Sequence, residues 1–358
     1  FAPGLAYDAG LFEYAAFSCG NNYQIFSDGS WAFLQSLGLS FDGSELNLPS
    51  IGVADLVGAQ TVTRTVTAVY NNSGHKAFTV SVDAPPGIDV AVSPSSFKLR
   101  KGESISYEVT FTVTGGAALD EWAYGSLTWT DTGGIYSVRS PIAVRPTAFS
   151  TVDEVDGNAN GSGDGSVDAP VAFGYDGDYS ASVSGIEPGF SFGPFNLTGP
   201  RGNYDFWCID LPAFTHLRIA TFDEDTSDPG ADDIDLRAWI GDSTCAASVS
   251  ISSVGTSGGA TSEESIDVSD GPARGYFVAV DYYAASNGTD TDYVLWFQPV
   301  FGDNGNTSVT APASATLGTT DTVTVDYTGL AATRNLGILH HADGSGEIAR
   351  TILDIDAR

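Results

Sequence analysis

The chain holds 358 residues, with 42 Gly, no Met, and 45 acidic against 14 basic side chains for a formal net charge of −31. That length predicts two or three domains, and 42% hydrophobic residues exclude a disordered chain. Such a charge repels phosphate backbones and anionic lipid, so nucleic acid and membrane surfaces are excluded as partners, and no apolar run reaches the roughly 18–20 residues of a membrane span.

The chain starts Phe1-Ala2-Pro3, without a Met or a basic leader, which predicts a processed or excised portion of a longer protein. Residues 1–40 are the least strand-like. Gly10–Phe17 and Ser30–Leu37 carry apolar residues at helical spacing, a connector whose aromatic rings need a surface to cover. Residues 41–147 predict a β-sandwich of the fibronectin III or immunoglobulin kind. Thr61–Val69, Phe78–Val82, Tyr107–Val113 and Gly125–Thr130 alternate at period two, and Asn71–Gly74, Pro85-Pro86-Gly87 and Gly133-Gly134 mark turns. Residues 148–163 predict a flexible acidic linker, since Val155–Asp164 has almost no apolar content. Residues 164–301 predict a second sandwich, jelly-roll-like, on strands such as His216–Phe222, Ile234–Ile240, Gly275–Val280 and Tyr293–Phe297. Residues 302–358 predict a third, small immunoglobulin-like unit near the lower size limit of an independent core. The fold class is therefore all-β: tandem β-sandwich domains behind a short helical N-terminal connector.

Of the three cysteines, Cys208 and Cys245 fall in one predicted domain and can pair, which suits an oxidising compartment. Cys19 is left over, either buried and free or paired outside this chain. Asp223-Glu224-Asp225 and Asp232-Asp233-Ile234-Asp235 flank Pro229-Gly230. Asp223, Asp225, Asp232, Asp233 and Asp235 are either a solvated turn or a calcium site, calcium being the hard cation that takes many carboxylate oxygens. Asp156, Asn158, Asn160 and Gly161 imitate a calcium loop, but Val167 stands where its bidentate Glu belongs.

The first 147 residues resemble the end of a subtilisin-like serine protease. The carrying motifs are Pro3-Gly4-Leu5-Ala6-Tyr7-Asp8, Leu46–Ile51, Thr63–Thr67, Ala84–Ile88, Val92-Ser93-Pro94, Gly125–Asp131 and Val138–Ile142, in that order. Asp233–Leu236, Gly275–Val280 and Thr291–Leu295 resemble a bacterial pre-peptidase C-terminal domain. The resemblance implies a secreted, bacterial parent protease, and a non-catalytic accessory role for this chain. Its Pro3, Gly4, Leu5, Tyr7 and Asp8 are expected to dock on the catalytic domain of the same precursor.

A subtilisin-like triad needs Asp, His and Ser in fixed glycine-rich settings. Asp131-Thr132-Gly133 and Gly255–Ala260 imitate two of them, but none of His75, His216, His340 and His341 lies in the histidine setting. Three roles follow: docking on and stabilising the protease; binding protein substrate or a surface, with Trp239, Tyr282 and Tyr283 as anchors unless they are core; or a secretion and maturation tail that processing removes.

Overall fold

The computed structural model describes residues 4–21, 28–71 and 74–358. In chain order it runs β1 (Leu5–Ala6), α1 (Leu11–Asn21), α2 (Asp28–Ser36), β2 (Ile51–Leu56), β3 (Ala59–Ala68), β4 (Lys76–Asp83), β5 (Ile88–Ser93), β6 (Ser96–Leu99), β7 (Ser104–Val113), β8 (Ala123–Asp131) and β9 (Ser137–Pro146). It continues with β10 (Phe149–Thr151), β11 (Glu154–Asn158), β12 (Gly165–Phe173), β13 (Gly177–Asp178), β14 (Ser180–Pro188), β15 (Phe190–Thr198), β16 (Tyr204–Leu211), β17 (His216–Thr221) and β18 (Asp233–Gly241). The last elements are β19 (Ile251–Ser257), β20 (Glu264–Ser269), β21 (Arg274–Ala284), β22 (Asp290–Val300), β23 (Thr307–Thr310), β24 (Ser314–Ala315), β25 (Thr320–Tyr327), β26 (Arg334–Asp343) and β27 (Gly346–Asp356). The all-β class read from the sequence is the observed one. Two compact units divide the chain: Phe1–Ser150 with Val171–Asp178 and Ser314–Asp321, and Thr151–Pro170 with Tyr179–Ala313 and Thr322–Arg358.

In the first unit, sheets β1-β3-β7-β5 and β2-β9-β8-β4-β6 face each other. Period-two alternation sends Val62, Val66, Tyr107, Val109, Phe111, Leu127, Ile142 and Val144 into one core. Trp129 is fully buried there, its ring 4.4 Å from Phe97 and 5.1 Å from Tyr107. Arg64 is also buried, and donates to the carbonyls of Leu48, Thr63 and Ser50. These bonds tie the segment ahead of β2 to β3.

The element expected to dock on a protease is consumed inside this unit. Leu5 is buried in the sandwich core and pairs with Ala68 across β1 and β3. The Tyr7 hydroxyl lies 2.7 Å from that of Tyr107 and 2.8 Å from that of Ser140, and the Asp8 carbonyl accepts from the Asn47 amide. A Cβ on Gly4 would come within 2.5 Å of Tyr136. Gly4, Leu5, Tyr7 and Asp8 are therefore an extra edge of the chain's own sandwich, while Pro3 lies outside the described residues.

In the second unit, β11, β27, β26 and β14 form one sheet. β11 runs parallel to β27, with Glu154 opposite Ile352 and Asp156 opposite Asp354. The stretch expected to be a flexible linker is thus partly a strand, and the last residues do not fold on upstream-free terms: β14 pairs with β26 from Ser180 to Pro188. Gly157 explains the polar look of β11. A Cβ there would come within 2.5 Å of Val167 and 2.6 Å of Ile355, so close packing demands a residue with no side chain. Between β14 and β23, eight strands form two further sheets, β15-β22-β17-β20 and β16-β21-β18-β19, the jelly-roll-like body expected from the sequence, here inserted into the immunoglobulin-like one. Cys208 and Cys245 form a disulfide across 37 residues of this insert, a closure that stabilises by about 3–4 kcal/mol in the loop-entropy picture.

Every residue of β17 is buried because the strand has two covered faces. Leu217 and Ile219 enter the insert's own core. Arg218, on the other face, donates to both Glu154 oxygens at 2.7 Å, to both Asp267 oxygens at 3.0 and 3.1 Å, and to Asp354 at 3.0 Å. One guanidinium therefore joins β20 of the insert to β11 and β27 of the immunoglobulin-like sheet. Val300, Leu336 and Ile338 pack beside it as an apolar seam.

Two outcomes follow. In hydrogen exchange, the amides of Glu154–Asn158 will be protected like those of Ile352–Asp356; exchange at free-chain rates would restore the tether. Arg218→Met will cost about 3–5 kcal/mol at neutral pH in denaturant titration, since it strands three carboxylates; a cost under about 1 kcal/mol would contradict this role.

Candidate functional site

Three places carry residues whose placement is not explained by packing alone. The first is the helical connector. Ala16, Cys19 and Leu34 are buried on its inner side, and Cys19 is a free thiol. Its outer side exposes Leu11 (79%), Phe12 (50%) and Phe33 (50%), with Tyr14 and Leu37 also open. Phe12 and Phe33 meet edge-on at 5.8 Å, so the rings of α1 and α2 form one patch. Among the described residues of this unit, Trp122, just ahead of β8, and Tyr124, at its start, are exposed as well.

The second place is the acidic turn. The structure divides the five predicted aspartates. Asp225 accepts from the Trp296 indole at 2.8 Å. Asp232 is buried and accepts from Thr291, the Ser286 amide and the Asp228 amide. Burial pushes its carboxyl up, and those hydrogen bonds together outweigh burial and leave it below the usual carboxylate range. Asp225 and Asp232 are thus spent on holding the turn. Asp223 accepts from the Ser262 amide. Asp233 is 8% exposed, and its Oδ1 has no hydrogen-bond partner. Burial first, then the carboxylates of Asp235 and Glu264, push Asp233 up to about 6. Burial likewise raises Asp235 and Glu264, the latter already accepting from Ser257 and the Gly259 amide. Glu264 was not anticipated; it lies beyond the acidic run and reaches the turn only through the pairing of β20 with β17.

The third place is a cleft of about 370 Å³ over the Arg218 cluster, lined by Glu154, Asp156, Asp354 and Arg334 among others. Among the described residues, Glu154, Asp156 and Asp354 are the carboxylates that bring ligand oxygens within 4.8 Å of one another. Arg218 already supplies the positive charge there. The calcium-loop imitation is a strand and turn, with Asn160 Oδ1 accepting from the amides of Ser162 and Asp164.

The protease-like decoys have local duties. Asp131 is buried and accepts from the amides of Ile135 and Tyr136 and from Lys76. Ser257 lies on β19 and donates to Glu264. His216 is buried with Nε2 2.9 Å from Asp267, the carboxylate that Arg218 also holds. His341 is buried against the Tyr179 hydroxyl, and burial drops its imidazole to about 4, so it stays neutral. Of the proposed aromatic anchors, Tyr282 is core, Tyr283 lies under the Arg201 guanidinium at 3.5 Å, and Trp239 is half-buried on an open sheet face.

The Fibronectin type-III domain family model matches residues 45–144. The chain is 37% identical over 152 residues to the CO(2)-response secreted protease of Arabidopsis thaliana, covering 40% of this chain and 19% of that protein. It is 35% identical over 147 residues to the Subtilisin-like protease Glyma18g48580 of Glycine max, covering 40% of this chain and 18% of that protein. Among solved structures, the secreted serine protease VesC from Vibrio cholerae aligns over 71% of this chain and 50% of its own at 11% identity, with a TM-score of 0.22. The chain spans about a fifth of the length of the plant relatives it matches, and those relatives lend no support to the bacterial origin expected from the second domain. Residues 45–144 are a fibronectin type-III domain, set in a stretch of this chain that is similar to part of subtilisin-like proteases.

Proposed function

We propose that this chain is the non-catalytic accessory region of a secreted subtilisin-like serine endopeptidase, and that it docks on and stabilises the catalytic domain of the same precursor. The observation that carries this reading is the exposed patch of Leu11, Phe12, Tyr14, Phe33 and Leu37 on the connector. A patch of this kind marks an interaction surface. It lies just ahead of the fibronectin type-III domain, in the part of the chain similar to the plant proteases. The docking surface in this reading is the outer side of α1 and α2, with the Gly4–Asp8 element as the brace that fixes the helices to the sandwich. The histidines favour a non-catalytic chain: His216 and His341 are buried and engaged, and none stands in the glycine-rich setting a subtilisin-like triad uses.

Calcium is the cofactor in this reading, drawn to Asp233 with Asp223, Asp235 and Glu264 nearby, and those side chains close on the ion as it binds. The unpartnered Asp233 oxygen and the raised carboxyls of Asp233, Asp235 and Glu264 support it, because a buried anionic cluster is relieved by a hard cation. Among the described residues, no helix is long and apolar enough to cross a membrane.

Two experiments test these proposals. A catalytic domain expressed without this region will co-elute with the purified chain and inactivate more slowly on heating. The double variant Leu11→Asp/Phe33→Asp will weaken the complex by about tenfold or more; no co-elution of the unaltered chain sinks the docking reading. Millimolar calcium will raise the melting temperature of the chain by about 2–8 °C. That shift will vanish in Asp233→Asn and fade as pH falls below about 6, where Asp233 takes a proton; an unchanged melting temperature at pH 7 removes calcium from the account.

A further inference from the structure

The outer face of the insert's sheet β16-β21-β18-β19 carries a depression of about 280 Å³ lined by Tyr204, Phe206, Arg237, Trp239, Ala279 and Asp281. Strand register builds it. On the central strand β21, Ala279 lies opposite Phe206 of β16 on one side and Arg237 of β18 on the other, and Asp281 lies opposite Tyr204 and Asp235. A small residue at the middle, with large residues on both flanking strands, leaves a hollow that the sheet does not fill. Tyr204 is 57% exposed and Phe206 50% exposed. Phe206 leans on Phe277 at 5.9 Å and on Trp239 at 6.0 Å, so its ring is held in place while its face stays open.

The polar wall is also unfinished. Asp281 is only 6% exposed, and its Oδ2 lies 2.9 Å from Arg237 Nε without receiving a hydrogen bond. A buried oxygen with a charge partner but no donor is rare in a native protein and calls for one. Arg237, half open to solvent, keeps further N–H donors free for an acceptor. The two charges cancel, and Asp235 at the rim feels Arg237 and Arg201 as well as Asp281. The depression therefore offers open aromatic faces, one waiting acceptor, several donors and a lining whose two charges cancel, in a chain of net charge −31.

We propose that this depression binds a neutral saccharide. A pyranose ring presents an apolar C–H face to Phe206, Tyr204 and Trp239, and each of its hydroxyls is both donor and acceptor, meeting Asp281 and Arg237 together. A charged peptide side chain would satisfy one of the pair and repel the other. The binding surface is separate from the connector patch, so the two proposals stand or fall independently.

The test is isothermal titration of the full chain with cellohexaose, chitohexaose, xylohexaose, mannohexaose and maltohexaose, with a poly-L-proline peptide as comparator. At least one hexasaccharide will bind saturably. Tyr204→Ala and Phe206→Ala will weaken that binding by about tenfold or more, with Tyr204→Ala, at the more open position, leaving the melting temperature unchanged; Asp281→Asn will weaken it as well. The proposal is overturned if no hexasaccharide binds, if binding is the same in Tyr204→Ala and Phe206→Ala, or if only the proline peptide binds.

Discussion

The second unit depends on one buried guanidinium. Arg218 sits on the face of β17 that a free jelly-roll would turn to water, and it holds Glu154, Asp267 and Asp354 at once. Burial alone would lower its pKa; the hydrogen bonds it donates to Glu154 and Asp267 outweigh that and fix the charge. Each carboxylate comes from a different strand, so the contact is satisfied only when insert and immunoglobulin-like sheet are both formed. Buried ion clusters of this kind add little net stability over an apolar core, but they are costly to break and fix which surfaces meet. The neighbouring cleft is acidic because Asp156 and Asp356 line it beside the Glu154 and Asp354 carboxylates.

The first unit solves a different problem with neutral groups. It holds its connector to the sandwich through β1. It does so by threading Leu5 into the core and by joining the Tyr7 hydroxyl to Tyr107 and Ser140. Fixing β1 in this way holds α1 and α2 against the sandwich with their apolar outer side open. The same residues that make the connector rigid are therefore unavailable to a partner, and the burden of docking falls on the helices.

Much of this was readable in the residues. Period-two runs such as Thr61–Val69 and Tyr107–Val113 locate strands because one face of each is buried, and Cys208 and Cys245, which belong to one sandwich, lie bonded in it. Pairing partners were not readable. Glu154–Asn158 is polar and glycine-bearing because it packs edge-on against Val167 and Ile355, and its composition matches that of a tether. The resemblance of Pro3–Asp8 to a protease element suggested an outward role, yet nothing in six residues tells which neighbour they bury against. In the acidic turn the sequence offered five equivalent aspartates; their fates were decided by donors far along the chain, such as Thr291 and Trp296. The alternation of Tyr204 and Phe206 along β16 was the one available sign of an open aromatic face.

The central claim is that the outer side of the connector is covered in the intact protease precursor. Hydroxyl-radical footprinting of that secreted precursor, compared with this chain alone, measures it directly at Leu11, Phe12, Tyr14 and Phe33. Strong protection of those four in the precursor, with Tyr204 and Phe206 equally reactive in both, is the result the account predicts. Equal reactivity of the connector rings in precursor and isolated chain would contradict it.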